Sequence, residues 1–280
     1  MLPMTEFLEV AVRAAHAGAA VLTSYRAQPN SLVIDFKGRY DLVSQADRES
    51  EKAVIEILDN ATPGLGIIAE ESGGTSRGLA TWHIDPLDGT TNYLHGIGHF
   101  AVSIGLIAHA GTVDPTGQVL TADTPVLGVV YDPTRQEMFT GLRGVGAWCN
   151  GHRIRQSGVK HLEHALIATG IPVYEFEHID AYLKVIKDVV LTTRGIRRNG
   201  AAALDLAWLA CGRVDGYFEE KLKTWDIAAG TVIAQEAGAL VTDPLDEFSS
   251  WPASGRLVAA GPDIHGALSA IYRAHMQTSA

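Results

Sequence analysis

The densest chemistry in the chain lies in WHIDPLDGTTNYLHG, residues 82–96, where Asp85 and Asp88 stand three positions apart and Gly-Thr-Thr follows at once. Pro86 has no amide hydrogen and stops Asp85 from continuing a strand ladder, while Gly89 lets the backbone approach a ligand closely. With a helix or tight turn opening at Gly89, the amides of Gly89, Thr90 and Thr91 converge on one spot and form an anion site. Carboxylates beside an anion need a cation between them, because two unit charges about 4 Å apart repel by about 4 kcal/mol at an effective dielectric of about 20. The candidate ligands are oxygens, with no cysteine and no histidine at metal-binding spacing nearby, which favours Mg²⁺ or Mn²⁺ over zinc. Two more acidic points are placed to join them. Glu70 and Glu71 end LGIIA just before Gly73-Gly74, and Asp226 sits where WDIAAG opens a helix. Strand ends and helix starts face the ligand crevice in α/β proteins.

Each of these residues also has a plainer use. Asp-Pro and Asp-Gly are common turn formers, and Glu70 and Glu71 suit a solvated loop. Asp47 and Asp226 suit helix N-termini, a role worth about 0.3–1 kcal/mol. His95 and His99 have i,i+4 spacing, but the intervening Gly-Ile-Gly argues against a helix, so they read as turn or supporting residues. Arg194, Arg197 and Arg198 form a small basic cluster that suits a solvated face or structural ion pairs.

The elements that must position these groups follow from periodicity. A helix is expected over residues 5–26, capped by Thr5, with Phe7, Val10, Ala11, Ala14, Ala17 and Val21 at helical spacing. A second helix starts near Ser44, where Ser44 and Asp47 have capping-box-like spacing and Val54, Ile55 and Leu58 supply an apolar stripe; Pro63 and Gly64 end it. Strands are expected at 65–69, in a stretch ending at Ile84, and at 100–107, with a hairpin formed by 125–131 and 137–140. Residues 108–124 read as an exposed loop or hairpin tip. The glycine-rich segment 141–151 is the expected domain boundary, dividing the chain into an α+β domain, 1–145, carrying most of the candidate ligands, and an α/β domain, 146–280, contributing Asp226. In the second half, helices are expected at 180–190, 201–211 and 226–237, with a strand at 214–219. This alternation favours an α/β arrangement.

Composition narrows the function classes. With 280 residues, 46% of them hydrophobic, the chain is long enough for one large or two smaller packed domains and is not a disordered tail. Twenty-two Lys and Arg against 32 Asp and Glu give a formal charge of −10, a field that repels nucleic acid. Cys149 and Cys211 are the only cysteines and have no CxxC spacing, which fits a reducing cytosol. The N-terminus lacks a secretory pattern, and no apolar run reaches the roughly 18 residues of a membrane helix, so a soluble, cytoplasmic protein is expected.

The stretches GIIAEESG, WHIDPLDGTTNYLHGIGHFAVSIGL and WDIAAGTVIAQEAG resemble the inositol monophosphatase family, in matching order and spacing from KGRYDLVSQAD to the C-terminal third. The resemblance implies a layered αβαβα sandwich of the inositol monophosphatase and fructose-1,6-bisphosphatase type. It also implies a Mg²⁺-dependent, lithium-sensitive phosphomonoesterase, usually a homodimer. Two or three Mg²⁺ per site are implied, with Mn²⁺ as a substitute and Li⁺ and Ca²⁺ as inhibitors. Carried over by position, the metal ligands are Glu70, Asp85, the Leu87 carbonyl, Asp88 and Asp226. Thr90 and Glu70 orient the attacking water, and Asp47, six residues after Asp41, bonds to that threonine. Asp88, Gly89, Thr90, Ala202, Glu219 and Asp226 meet the substrate.

The implied reaction is hydrolysis of myo-inositol 1-phosphate to inositol and phosphate by metal-activated water. A fructose-1,6-bisphosphatase, a histidinol-phosphate phosphatase and a 3′(2′),5′-bisphosphate nucleotidase share the fold, although Thr91-Asn92 after the first threonine looks more like the inositol branch than the nucleotidase branch. A non-enzymatic alternative is a protein partner of the transcription machinery, as for some bacterial relatives. Two departures from the family pattern, Ala239 in EAGA and the long 108–124 loop, bear on substrate access or the dimer surface and not on the expected ligands.

Overall fold

The computed structural model describes residues 3–27, 34–36, 42–171, 178–246 and 251–277. Asp41 and the beginning of the KGRYDLVSQAD motif lie outside the described residues. Helix α1 (Met4–Arg26) has Pro3 at its cap position in place of the expected Thr5. Strands β1 (Ile34–Phe36) and β2 (Leu42–Ser44) form an antiparallel pair. Helix α2 (Gln45–Ala61) starts where the capping box places it. A Cβ on Gly18 would stand 2.8 Å from Val54 Cγ2 and 2.9 Å from Ser50 Oγ, so the bare backbone there lets α1 lie against α2.

Next come β3 (Gly66–Ala69), β4 (Gly73–Thr75), β5 (Ala80–Asp88), the single-turn helix α3 (Thr90–Leu94), β6 (Ala101–Ala108), β7 (Thr124–Asp132), β8 (Glu137–Leu142), β9 (Gly146–Cys149) and β10 (His152–Arg153). They build an eight-stranded sheet in the order β10-β9-β8-β7-β6-β5-β3-β4. Every residue of β5 and β6 is buried, because helices cover both faces of the sheet. The expected boundary at 141–151 is therefore corrected: its glycines serve a tight turn and two further strands, and this sheet continues through Arg153. The 108–124 loop is a hairpin tip, closed by a bridge between Val113 and Val119 and held by Asp114, which accepts from the Thr116 and Gln118 amides and from Arg143 Nε.

The second half contains β11 (Leu166–Thr169), α4 (Ile179–Thr192), β12 (Gly195–Arg197), α5 (Ala202–Ala210), β13 (Gly216–Glu219), α6 (Thr224–Glu236), β14 (Leu240–Thr242), β15 (Leu257–Ala260) and α7 (Pro262–Met276). Its five-stranded sheet runs β12-β11-β13-β15-β14 and mixes parallel with antiparallel pairs. Three apolar cores separate the layers. The first joins α1 and α2 to the large sheet, the second holds α5 and α6 between the two sheets, and the third joins the small sheet to α4 and α7. The result is the expected αβαβα sandwich.

A row of glycines sets the height of α6 above the large sheet. Gly105 pairs with Gly128, and Gly128 with Gly141, across three adjacent strands. A Cβ would lie 2.7 Å from Ala228 Cβ at Gly105 and 2.8 Å from Ile233 Cα at Gly141, and at Gly128 it would run into the Ala229 backbone. On its other side α6 meets α5, where a Cβ on Gly230 would come within 2.6 Å of Leu206. The small residues of DIAAG are thus the consequence of a helix pressed from two sides.

Candidate active site

The end of β5 is bent by its own sequence. Asp85 pairs with Ser103 and Asp88 with Ala101, with a register shift between them. The strand therefore does not stop at Ile84 as expected: the bulge absorbs the amide that Pro86 lacks, and pairing resumes at Asp88. Within the bulge the Leu87 amide donates to Asp85 Oδ1 over 2.9 Å. Gly89 then adopts φ +92°, a left-handed conformation that favours glycine, and α3 opens at Thr90. The space is also closed to a side chain, since a Cβ on Gly89 would lie 3.0 Å from the His99 carbonyl oxygen and 3.2 Å from that of Gly200.

Five other elements gather around this bend. Glu70 follows β3, which runs parallel to β5, and its amide donates to the Ile84 carbonyl over 3.1 Å. Thr90 Oγ1 lies 3.2 Å from Asp47 Oδ1, in the first turn of α2, and 3.1 Å from the Leu87 carbonyl. Asp47 is fixed in turn by the Ser44 amide, 2.9 Å away, and by the Ser44 hydroxyl. The first amides of α5 point at Asp88: Ala202 donates to Oδ1 at 3.1 Å and Ala203 to Oδ2 at 2.8 Å. Asp226 occupies the first turn of α6 and accepts from the Lys223 amide at 2.6 Å. Glu219 ends β13, receives the Tyr217 hydroxyl, and fills the space that a Cβ on Gly170 would take.

Burial and mutual repulsion shape the electrostatics. Asp85 is 3% and Asp88 7% exposed. Burial, followed by the charges of Glu70, Asp88 and Asp226 and a hydrogen bond with Glu70, holds the Asp85 carboxyl well above its ordinary range. Burial pushes Asp88 up to about 8, with the Asp205 charge adding to it and the α5 amides opposing it. Asp226 is likewise raised to about 8, by burial and by Asp88 and Glu219, against the pull of the Lys223 amide and ammonium. Glu219 is raised to about 7 by burial and Asp205, opposed by the Tyr217 hydroxyl and by Arg198. Asp47 is also raised, by burial, with Ser44 and Thr90 opposing.

The charges of Glu70, Asp88 and Asp226 all raise the Asp85 pKa, so positive charge placed among them would be favourable. An all-oxygen set of this kind, with a main-chain carbonyl at Leu87, fits a hard divalent cation.

The bend, Glu70, Asp47, Ala202, Glu219 and Asp226 are thus drawn to one crevice. His95 caps the end of α3 at the surface. His99 is buried, packs edge-on against Trp208 with ring centroids 4.7 Å apart, and places Nε2 3.5 Å from Asp205 Oδ1. Arg194, Arg197 and Arg198 are exposed, and Arg198 bears on the site through its charge on Glu219. Sequence reasoning passed over Asn92, Asp205 and Tyr217. Asn92 Nδ2 donates to the His99 and Asn199 carbonyls at 2.7 and 2.8 Å, and Asp205 accepts from Asn199 Nδ2 at 2.6 Å. Asn92 stood inside the quoted motif; Asp205, in the middle of an apolar helix, was a polar residue without an exposed face to explain it.

The layered α/β fold, with these carboxyls gathered where the large sheet meets α5 and α6, is shared with solved inositol monophosphatase structures. The chain belongs to the Inositol monophosphatase family, whose profile it matches over residues 3–277. It is 41% identical over 275 residues to the Putative Nus factor SuhB of Neisseria meningitidis serogroup B, covering 98% of this chain and 100% of that protein. It is similar to the crystal structure of the extragenic suppressor protein suhB from Bartonella henselae, with a TM-score of 0.85, 37% identity, and coverage of 95% of this chain and 98% of that one. It is also similar to the inositol monophosphatase from Anabaena (Nostoc) sp. PCC 7120, with a TM-score of 0.78, 36% identity, and coverage of 99% and 97%. Among the described residues no helix is long and apolar enough to cross a membrane.

Proposed function

We propose that the chain hydrolyses a small phosphate monoester, with myo-inositol 1-phosphate as its substrate, and that Glu70, Asp85, the Leu87 carbonyl, Asp88 and Asp226 hold Mg²⁺. The observation that carries this reading is the crowding of buried carboxyls around the β5 bend, with Asp85 bonded to Glu70 and raised by Asp88 and Asp226. When bound, Mg²⁺ neutralises phosphate oxygens and the leaving alkoxide and lowers the pKa of water.

The chain's own residues supply orientation. With its proton directed at Asp47 Oδ1, the Thr90 hydroxyl presents lone pairs, so a water between Thr90 and Glu70 donates to both and turns its own lone pair toward phosphorus. The Gly89 and Thr90 amides hold the phosphate. Ala202 contacts the ring, and Glu219 and Asp226 accept from its hydroxyl groups. A homodimer in the cytoplasm, inhibited by Li⁺ and Ca²⁺, belongs to the same proposal.

The test is a panel of inositol 1-phosphate, fructose 1,6-bisphosphate, histidinol phosphate and adenosine 3′,5′-bisphosphate, assayed with Mg²⁺, with EDTA and with Li⁺. Mg²⁺-dependent, Li⁺-inhibited release of phosphate chiefly from inositol 1-phosphate is expected. A dominant rate on another ester reassigns the substrate, and no metal-dependent release from any ester overturns the reading.

The relatives named Nus factor favour a second reading, in which the chain acts as a protein partner in transcription. That reading gains if Glu70→Gln abolishes phosphatase activity and leaves the cellular role intact.

A further inference from the structure

Helix α2 does more than carry Asp47. Asp47, Ser50 and Glu51 stand at i, i+3 and i+4 on one helix face, and all three are buried, Glu51 at 4% exposure and the others at 0%. Each reaches a different segment of the crevice. Asp47 meets Thr90 at the start of α3. Ser50 Oγ donates to the Pro86 carbonyl over 3.0 Å, inside the β5 bulge. Glu51 takes two successive amides of the turn after β3, Glu71 on Oε2 at 2.8 Å and Ser72 on Oε1 at 2.9 Å.

These contacts fall where main-chain pairing is missing. The Pro86 carbonyl belongs to the peptide whose amide, that of Leu87, donates to Asp85 Oδ1 at 2.9 Å. That peptide is therefore gripped at its oxygen by Ser50 and in turn grips the Asp85 carboxylate. Glu70 is held in a similar way from its two sides. Its own amide is tied to Ile84 on β5, and the two amides that follow are tied to Glu51. A carboxylate bridging two amides makes charge-assisted bonds, about twice as strong as neutral ones, so the turn that carries Glu70 has little freedom relative to α2.

We propose that Ser50 and Glu51 are positioning residues for cation binding: from one helix face they set the separation between Glu70 and the Asp85–Leu87–Asp88 bend. This rests on the reading of those residues as ligands. Neither Ser50 nor Glu51 touches the substrate; each acts through the groups it holds.

The test is Mn²⁺ binding, measured by loss of the free-ion electron paramagnetic resonance signal and by calorimetry. The proteins compared are the wild type, Glu51→Gln, Ser50→Ala, Glu70→Gln and the Glu51→Gln/Glu70→Gln double variant, each with its melting temperature recorded in EDTA. Glu51→Gln is expected to weaken binding about ten-fold or more, the range seen when groups that orient ligands are removed, and Ser50→Ala to weaken it by a smaller factor. In the Glu70→Gln background the Glu51 substitution is expected to cost nothing further, because its effect runs through Glu70; a role confined to stability lowers the melting temperature and leaves affinity alone. Wild-type affinity in both single variants overturns the inference, and so does an equal Glu51 effect with and without Glu70. If Glu51→Gln does not fold, Ser50→Ala decides, and wild-type affinity in that variant overturns the inference. A wild type that binds no Mn²⁺ overturns the ligand reading itself, and this inference with it.

Discussion

On one wall of the crevice, Glu70, Asp85, Leu87, Asp88 and Thr90 come from residues 70–90, and hydrogen bonds from neighbouring backbone or from α2 fix the segments that carry them. On the opposite wall, Ala202, Glu219 and Asp226 come from two helix starts and a strand end, and their places depend on how α5 and α6 are packed between the sheets. The first wall is a local construction whose geometry is carried by the chain itself. The second is a tertiary one, where apolar packing and a glycine row stand in for sequence proximity. The first wall, joined by Asp226 from the second, should therefore govern the chemical step, and Ala202 and Glu219 should govern which ester is accepted.

Asp88→Asn is the strongest way to break this division. Asp88 touches both walls, since it ends β5 and accepts the α5 amides, so turnover is expected to fall by about a thousand-fold, about 4 kcal/mol in the barrier, with the fold retained by circular dichroism. Near-normal phosphate release would remove Asp88 from the reaction. Glu219→Gln sharpens the contrast with a smaller effect. It is expected to raise KM for inositol 1-phosphate about ten-fold, with kcat little changed, as loss of one substrate contact does. An equal fall in kcat would place Glu219 with the chemistry.

The smallest effect is on stability in the absence of metal. Asp88 and Asp226, near 8, and Glu219, near 7, lie above the ordinary 3.8 and 4.5, so the folded chain keeps protons that the unfolded chain releases. Their contribution is complete below about pH 4 and is lost as the pH rises through about 7–8. His83, lowered to about 4 by burial, acts in the opposite sense, and only below its ordinary 6.5. Between pH 6.5 and 8.5 the EDTA-treated protein should therefore melt at progressively lower temperature, and Mg²⁺ should narrow the gap. A flat melting profile in EDTA would mean that the carboxyls are not coupled as the geometry implies.

The contrast between the walls also explains what was legible in the sequence. The bend was visible because Asp-Pro, Asp-Gly and the capping pair Ser44 and Asp47 are local signals. The strands of the small sheet other than β13, and helix α7, left no comparable mark. Strands β11, β12, β14 and β15 are three or four residues long and pair with strands distant in sequence. The 141–151 segment misled because glycine in a turn between strands reads like glycine in a linker. Ser50 and Glu51 looked like ordinary polar residues on a helix, and only the fold shows that their face looks inward. The glycine row was hidden for another reason: Gly105 and Gly128 are isolated in sequence, Gly141 opens the glycine-rich segment, and the three acquire a shared meaning only when strand register lines them up.

That alignment makes the spacing between Asp226 and the β5 bend a property of absent atoms. A methyl group at Gly105, Gly128 or Gly141 would act as a wedge beneath α6 and tilt its leading end, with no change to any residue in the crevice. Redesign for a bulkier ester is better begun on the α5 side of the same helix, where Gly230 faces Leu206 and trimming that leucine would let α6 settle toward α5 while the glycines beneath it stay unchanged.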